Sequence, residues 1–129
     1  MKRRFGRAIG SPTKAEQAHQ DLQRAHGCAA CRLRRNRQQP GPTEIHHRTT
    51  GDLHGQKQLG QEATVALCSY HHRGVLWPGF DAEAMRDEFG PSYALHKRDF
   101  LRWVQDNLGE RSTAALQAWQ DAQILEPAA

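Results

Sequence analysis

Two pairs of metal-binding residues at one spacing constrain this chain more than anything else in it: Cys28-Ala29-Ala30-Cys31 and Cys68-Ser69-Tyr70-His71. Each pair is short enough to grip one side of a tetrahedral ion, and thiolate and imidazole are the ligands zinc prefers. Four protein ligands would close the sphere, so Cys28, Cys31, Cys68 and His71 are expected to hold a structural zinc. The chain needs such help. Of its 129 residues only 37% are hydrophobic and 7% aromatic, enough for one modest core. A thioredoxin-like redox pair is the rival reading of the first motif, but it requires a strand before the cysteines and a helix after them, and here a helix comes first.

Three cysteines cannot all pair with one another, and the two-residue spacing belongs to zinc or redox chemistry, which points to a reducing, cytoplasmic setting. No apolar run can span a bilayer. The basic start is followed by Ser11-Pro12-Thr13-Lys14, where a signal peptide would need an apolar stretch, so neither membrane insertion nor export is expected.

Residues 1–12, with Gly6, Gly10 and Pro12 among basic residues, read as a flexible basic arm, followed by a single domain over 13–129. Thr13 and Glu16 have the spacing of a capping box; Ala15, Ala18, Leu22 and Ala25 recur on one helical face, and Gly27 is placed to end that helix. The stretch 32–42, ending in Pro40-Gly41-Pro42, reads as a basic loop. Strands are expected at 43–48 and 62–67, joined through Gly51, Gly55 and Gly60 as an irregular hairpin with a long loop. Helices are expected at 69–75, at 82–89 behind the N-cap Asp81, at 92–108 and at 112–125. The last should bury Leu116, Trp119, Ala115 and Ala122. The aromatics on these stripes are expected in the core.

Charge is divided unevenly. Residues 1–48 carry 11 Lys and Arg against 3 Asp and Glu, a surplus of eight positive charges, while residues 49–129 carry 7 against 11. The basic half is where a polyanion would bind, through Arg3, Arg4 and Arg7 of the arm and the cluster Arg32, Arg34, Arg35 and Arg37.

Two His-His pairs remain, His46-His47 and His71-His72. Successive strand side chains point to opposite faces, so His46 and His47 should have different jobs. If His71 belongs to the zinc, His72 lies about 100° around the helix and faces another space. One strand imidazole and His72 would then hold a second divalent metal, leaving the other strand imidazole to take a proton from water. His19, His26 and His96 read as surface or hydrogen-bonded residues. His54, on the glycine-rich connection, is assigned no role.

Cys28-x2-Cys31, Glu44-Ile45-His46-His47 and Val65-Ala66-Leu67-Cys68-Ser69-Tyr70-His71-His72 together resemble an HNH endonuclease of the ββα-metal, or His-Me finger, type. The glycine-rich loop, Leu67-Cys68-x2-His71-His72-Arg73-Gly74-Val75 and Phe89-Gly90-Pro91-Ser92 are similar to the phage recombination enhancement function group, nucleases that depend on the bacterial recombinase RecA. The likeness covers about residues 28–95. It implies an α+β fold with a zinc-stapled ββα core and additional helices, zinc on His71, a catalytic divalent metal (Mg2+, Mn2+ or Zn2+) on His46 and His72, and His47 as general base. It also implies DNA as substrate, a RecA filament as partner, and a phage or prophage protein, monomeric, in the bacterial cytoplasm. One feature departs from the family pattern: no Asn occupies the middle position, where Gln61 is the nearest polar candidate. That departure keeps open a catalytically inactive, zinc-stapled DNA-binding module. A third reading is a protein-interaction domain using the acidic C-terminal helices.

Overall fold

The computed structural model of the chain describes residues 10–38, 41–52 and 57–125. In chain order these form α1 (Lys14–His26), α2 (Ala29–Arg34), β1 (Glu44–His47), β2 (Thr64–Leu67), α3 (Ser69–Arg73), α4 (Ala82–Phe89), α5 (Lys97–Leu108) and α6 (Thr113–Leu125), with a 3-10 turn at Thr50–Asp52. The class is α+β: one antiparallel two-stranded sheet among helices. Residues 1–9, with Arg3, Arg4 and Arg7, and His54 lie outside the described residues. Among the described residues no helix is long and apolar enough to cross a membrane.

Local chemistry explains most boundaries. The Thr13 hydroxyl accepts from Glu16 N–H at 3.1 Å and the Glu16 carboxylate accepts from Thr13 N–H at 2.9 Å, a reciprocal capping box that starts α1. Gly27 ends α1 as expected, and Gly90 and Gly109 end α4 and α5. At Gly27 (φ 103°) and Gly90 (φ 80°) the surroundings also crowd any side chain, because a Cβ would stand 2.9 Å from Gln38 Oε1 and 3.0 Å from the Arg34 guanidinium respectively. β1 and β2 pair with Glu44 opposite Leu67, Ile45 opposite Ala66, His46 opposite Val65 and His47 opposite Thr64. Pairing continues past β1, since Arg48 N–H donates to Ala63 O at 2.9 Å and Thr49 bridges Gln58.

All four residues of β2 are buried, so its edge away from β1 has no water to satisfy it. Two glutamine side chains take that role. Gln23 of α1 donates to Thr64 O at 2.7 Å and accepts from the Thr64 hydroxyl at 2.8 Å, and Gln120 of α6 accepts from Ala66 N–H at 2.9 Å. This clasp inverts α1. Gln20 and Gln23 are buried, while the expected apolar stripe faces outward, with Leu22 53% exposed. The core lies where β2, α3 and α4–α6 converge, on Val65, Leu67, Tyr70, Met85, Phe89, Phe100, Val104 and Leu116. Trp103 and Trp119 pack against it, but Ala122 is exposed.

Two expectations need correcting. The basic loop at 32–42 begins instead as the end of α2, because Cys28 caps a helical turn that runs to Arg34. The helix expected from Ser92 starts at Lys97. The Ser92 hydroxyl donates to Tyr70 O at 2.7 Å and accepts from Ala94 and Leu95 N–H, a local turn that holds 92–95 out of the helix.

Candidate metal centre and the histidine depression beside it

The two ligand pairs adopt one local design. Cys28 is the N-cap of α2, and its Sγ accepts from Cys31 N–H at 3.4 Å; Cys68 is the N-cap of α3, and its Sγ accepts from His71 N–H at 3.4 Å. Each helix then ends in a left-handed residue, Arg35 at φ 66° and Gly74 at φ 79°. A cysteine at an N-cap with the second ligand three residues on therefore turns both side chains toward the same point. The hairpin brings the two points together: Cys28, Cys31 and Cys68 Sγ and His71 Nδ1 all lie within 4.8 Å of one another, and all four residues are buried.

The donor set fits zinc. Nδ1 of His71 stands 3.5, 3.6 and 3.2 Å from the sulfurs of Cys28, Cys31 and Cys68, against roughly 3.5 Å for a sulfur–nitrogen edge of a tetrahedron built from ordinary zinc bond lengths. The tautomer also fits. His71 Nε2–H donates to Phe89 O at 2.9 Å, so Nδ1 carries the lone pair that faces the sulfurs. Without a cation the cluster must hold its own protons. Hydrogen bonds to Cys28 and Cys68, then burial, push the Cys31 thiol far up. Burial opposes ionisation of Cys28, but hydrogen bonds from Cys31 and Cys68 and the His71 charge carry it well below the ordinary range. Burial lowers His71, yet the Cys28 thiolate and the hydrogen bonds to sulfur raise it to about 10. These four residues could hold a structural metal such as zinc. The run Phe89-Gly90-Pro91-Ser92 forms the clamp behind them: Gly90 O accepts from the Tyr70 hydroxyl at 2.7 Å, and Tyr93 N–H donates to His71 O at 3.0 Å.

Beside this cluster lies an open depression of about 420 Å³ lined by His46, His72, Tyr93, Ala94 and Lys97. The rings of His46 and His72 are 5.2 Å apart and that of Tyr93 is 4.7 Å from His46. His46 Nε2 is buried with no hydrogen-bond partner. Burial, then the charges of His72, His47, Lys97 and Arg48, pushes His46 down to about 3, so it is neutral at pH 7 with its lone pair free. His72 Nδ1 meets Glu44 Oε1 at 2.8 Å, and Arg73 engages both oxygens of the same carboxylate at 2.9 and 2.6 Å. The Arg73 hydrogen bonds hold Glu44 below the ordinary carboxylate range. An ionised Glu44 only accepts, so His72 donates from Nδ1, and Nε2 is the nitrogen that a neutral ring would offer to a ligand.

His47 does not line this depression. Its Nε2 lies 3.1 Å from Gln61 Oε1. Gln61 is itself oriented, because its amide nitrogen donates to Gly10 O at 2.5 Å and its oxygen accepts from Gln20 at 3.0 Å. With the amide oxygen facing His47, the imidazole must donate from Nε2, which leaves Nδ1 as its basic nitrogen.

Of the arginines expected to bind DNA, the four of the second cluster, Arg32, Arg34, Arg35 and Arg37, are exposed, but three have contacts within the chain. Arg32 donates to His26 O at 2.6 Å, Arg34 lies against Gly90, and Arg37 pairs with Glu88 at 2.6 Å and covers the Trp77 ring at 4.8 Å. His19, His26 and His96 are hydrogen-bonded, to Asp121, Gln120 and Ser92 N–H respectively. Sequence reasoning assigned no role to Glu44, although its place two residues before His46 puts it on the same strand face. Tyr93 and Lys97 carry no such signal, since they arrive from a distant segment. Asp52 is a further omission: its carboxylate accepts from both the backbone N–H and the hydroxyl of Thr113, capping α6 from the hairpin.

Comparisons of the chain with protein-family models, with curated proteins and with solved structures find no match.

Proposed function

We propose that this chain is a metal-dependent DNA endonuclease of the HNH kind. The observation that carries the reading is the division of labour among adjacent histidines. His46 presents an orphaned buried nitrogen beside His72, whose orientation a carboxylate sets, while His47 keeps a free Nδ1 on a ring tethered by Gln61. The order hairpin then short helix, with the Cys3His cluster at its base, supports the same reading.

In this scheme His46 and His72 would hold a divalent cation, which would supply neutralisation of the charge that builds on the phosphorane and on the departing 3′-oxygen. His47 Nδ1 takes the proton of the attacking water as its oxygen bonds to phosphorus. The bond from phosphorus to the 3′-oxygen breaks, leaving a 5′-phosphate and a 3′-oxygen that takes a proton from solvent to become a hydroxyl. Gln61 fills the place of the missing middle Asn by fixing the tautomer of the base. The substrate is DNA, and recombinase-coated DNA is the form the resemblance favours.

A second reading has its own support. The absence of His47 from the lining of the depression favours a zinc-stapled DNA-binding module in which the histidines are structural. Purified protein assayed with magnesium or manganese on single-stranded, duplex and RecA-coated DNA, beside His47→Ala, separates the two. Cleavage that disappears in the variant supports the nuclease; no cleavage of any form by the parent leaves the binding module.

A further inference from the structure

An unpaired cation stands at the rim of the histidine depression. Lys97 opens α5, and its Nζ lies 4.7 Å from the centroid of the Tyr93 ring. Among the described residues no carboxylate forms an ion pair with it. The platform under it is rigid: the Tyr93 hydroxyl donates to Asp52 O at 3.0 Å, and the ring meets His46 edge-on. Across the same cavity lies His46, 7% exposed, with its Nε2 unpartnered. The carboxylate of Glu44 is held by Arg73 and His72 and does not neutralise the lysine. No side chain caps α5 either, so the positive end of a 12-residue helix adds to the field. An ammonium without a carboxylate partner, beside an uncapped helix start, makes a place for an anion next to the two imidazoles that would hold a cation.

We propose that Lys97 is the phosphate anchor of this site, its ammonium taking a non-bridging oxygen of the phosphodiester that lies over His46 and His72. The inference rests on the nuclease reading for the identity of that anion, and it adds a residue from outside the hairpin and α3. Lysine suits the role because a compact point charge on a flexible stem tolerates varied phosphate orientations and reads no base.

Zinc-loaded Lys97→Gln and Lys97→Arg, checked for parental zinc content and melting temperature, are compared with the parent on one short DNA duplex in two assays. The first measures affinity over a salt series without added magnesium or manganese. Lys97→Gln should bind several-fold more weakly, with the slope of log K against log salt smaller by about 0.9, the share of one phosphate contact, and Lys97→Arg should keep the slope. The second measures cleavage with manganese, where Lys97→Gln should lose about 100-fold in kcat/KM and Lys97→Arg should recover part of it. Parental affinity, slope and cleavage in Lys97→Gln would overturn the anchor and leave the nuclease standing. If the parent cuts no DNA, the nuclease reading falls and the salt slope alone decides: a smaller slope supports a phosphate contact at Lys97, and an unchanged slope removes it.

Discussion

His71 and His72 are neighbours in the chain and belong to opposite kinds of site. His71 is 1% exposed, its Nε2 is spent on Phe89 O and its Nδ1 faces three sulfurs. His72 is half-buried, tied to Glu44 on one nitrogen and left with the other to offer, when neutral, beside an orphaned imidazole and an unpaired lysine. A closed set of four donors uses its whole bonding capacity to join distant segments, so its contribution is folding energy. An open set keeps unused capacity, and that is what a substrate can employ.

Removing the closed site should have the largest effect. Serine caps a helix at least as well as cysteine, so Cys28→Ser and Cys68→Ser keep the caps of α2 and α3 and isolate the loss of a ligand. We expect one tightly held zinc per chain by elemental analysis, and loss of cooperative thermal unfolding in either variant or on chelation, since structural zinc in small domains contributes on the order of 10 kcal/mol. A chain that folds equally well without metal would erase the contrast between the two sites.

Next in size is His47→Ala. Zinc content, fold and DNA binding should persist while cleavage falls about 10²- to 10⁴-fold, because water activation is removed and positioning is not. His71→Ala should differ in kind, lowering melting temperature first and activity only as a consequence. If both variants lose stability equally, the histidine sites are not functionally distinct.

A smaller effect tests the scaffold alone. Gln120→Leu leaves Ala66 N–H buried without an acceptor and should cost about 1–3 kcal/mol in denaturant unfolding, with zinc content and cleavage rate unchanged. The smallest effects should come from the residues that orient imidazoles. Gln61→Leu and Glu44→Leu each release one ring nitrogen, and each should lower kcat by about tenfold with the melting temperature nearly constant. Parental kcat in both would show that neither ring needs its tether.

Much of this molecule is legible in its sequence because the deciding interactions are local. The capping box at Thr13 and Glu16, the glycines that end α1, α4 and α5, and the alternation that separates His46 from His47 each depend on residues within a few positions of one another. The two ligand-x2-ligand pairs belong to the same class, since an N-cap cysteine and the third helical residue converge whatever the rest of the chain does. The helical face of α1 could not be read in this way. Its alanines and Leu22 form the better apolar stripe, yet Gln20 and Gln23 are the residues buried, because a two-stranded sheet needs hydrogen-bond partners on its inner edge and glutamine side chains satisfy it where no third strand is present.

By itself, then, the chain's sequence determined the ligand types, their pairing within each knuckle and the starts and stops of most helices, all set by short-range sterics and hydrogen bonding. Only the tertiary structure decided that Gln61 would orient His47, that Glu44 would orient His72, and that Lys97 would stand over the Tyr93 ring, unpaired, in the depression that His46 lines. Those meetings join segments separated by 14, 28 or roughly fifty residues. No local period encodes them; they follow from how the hairpin and α5 pack around the buried cluster.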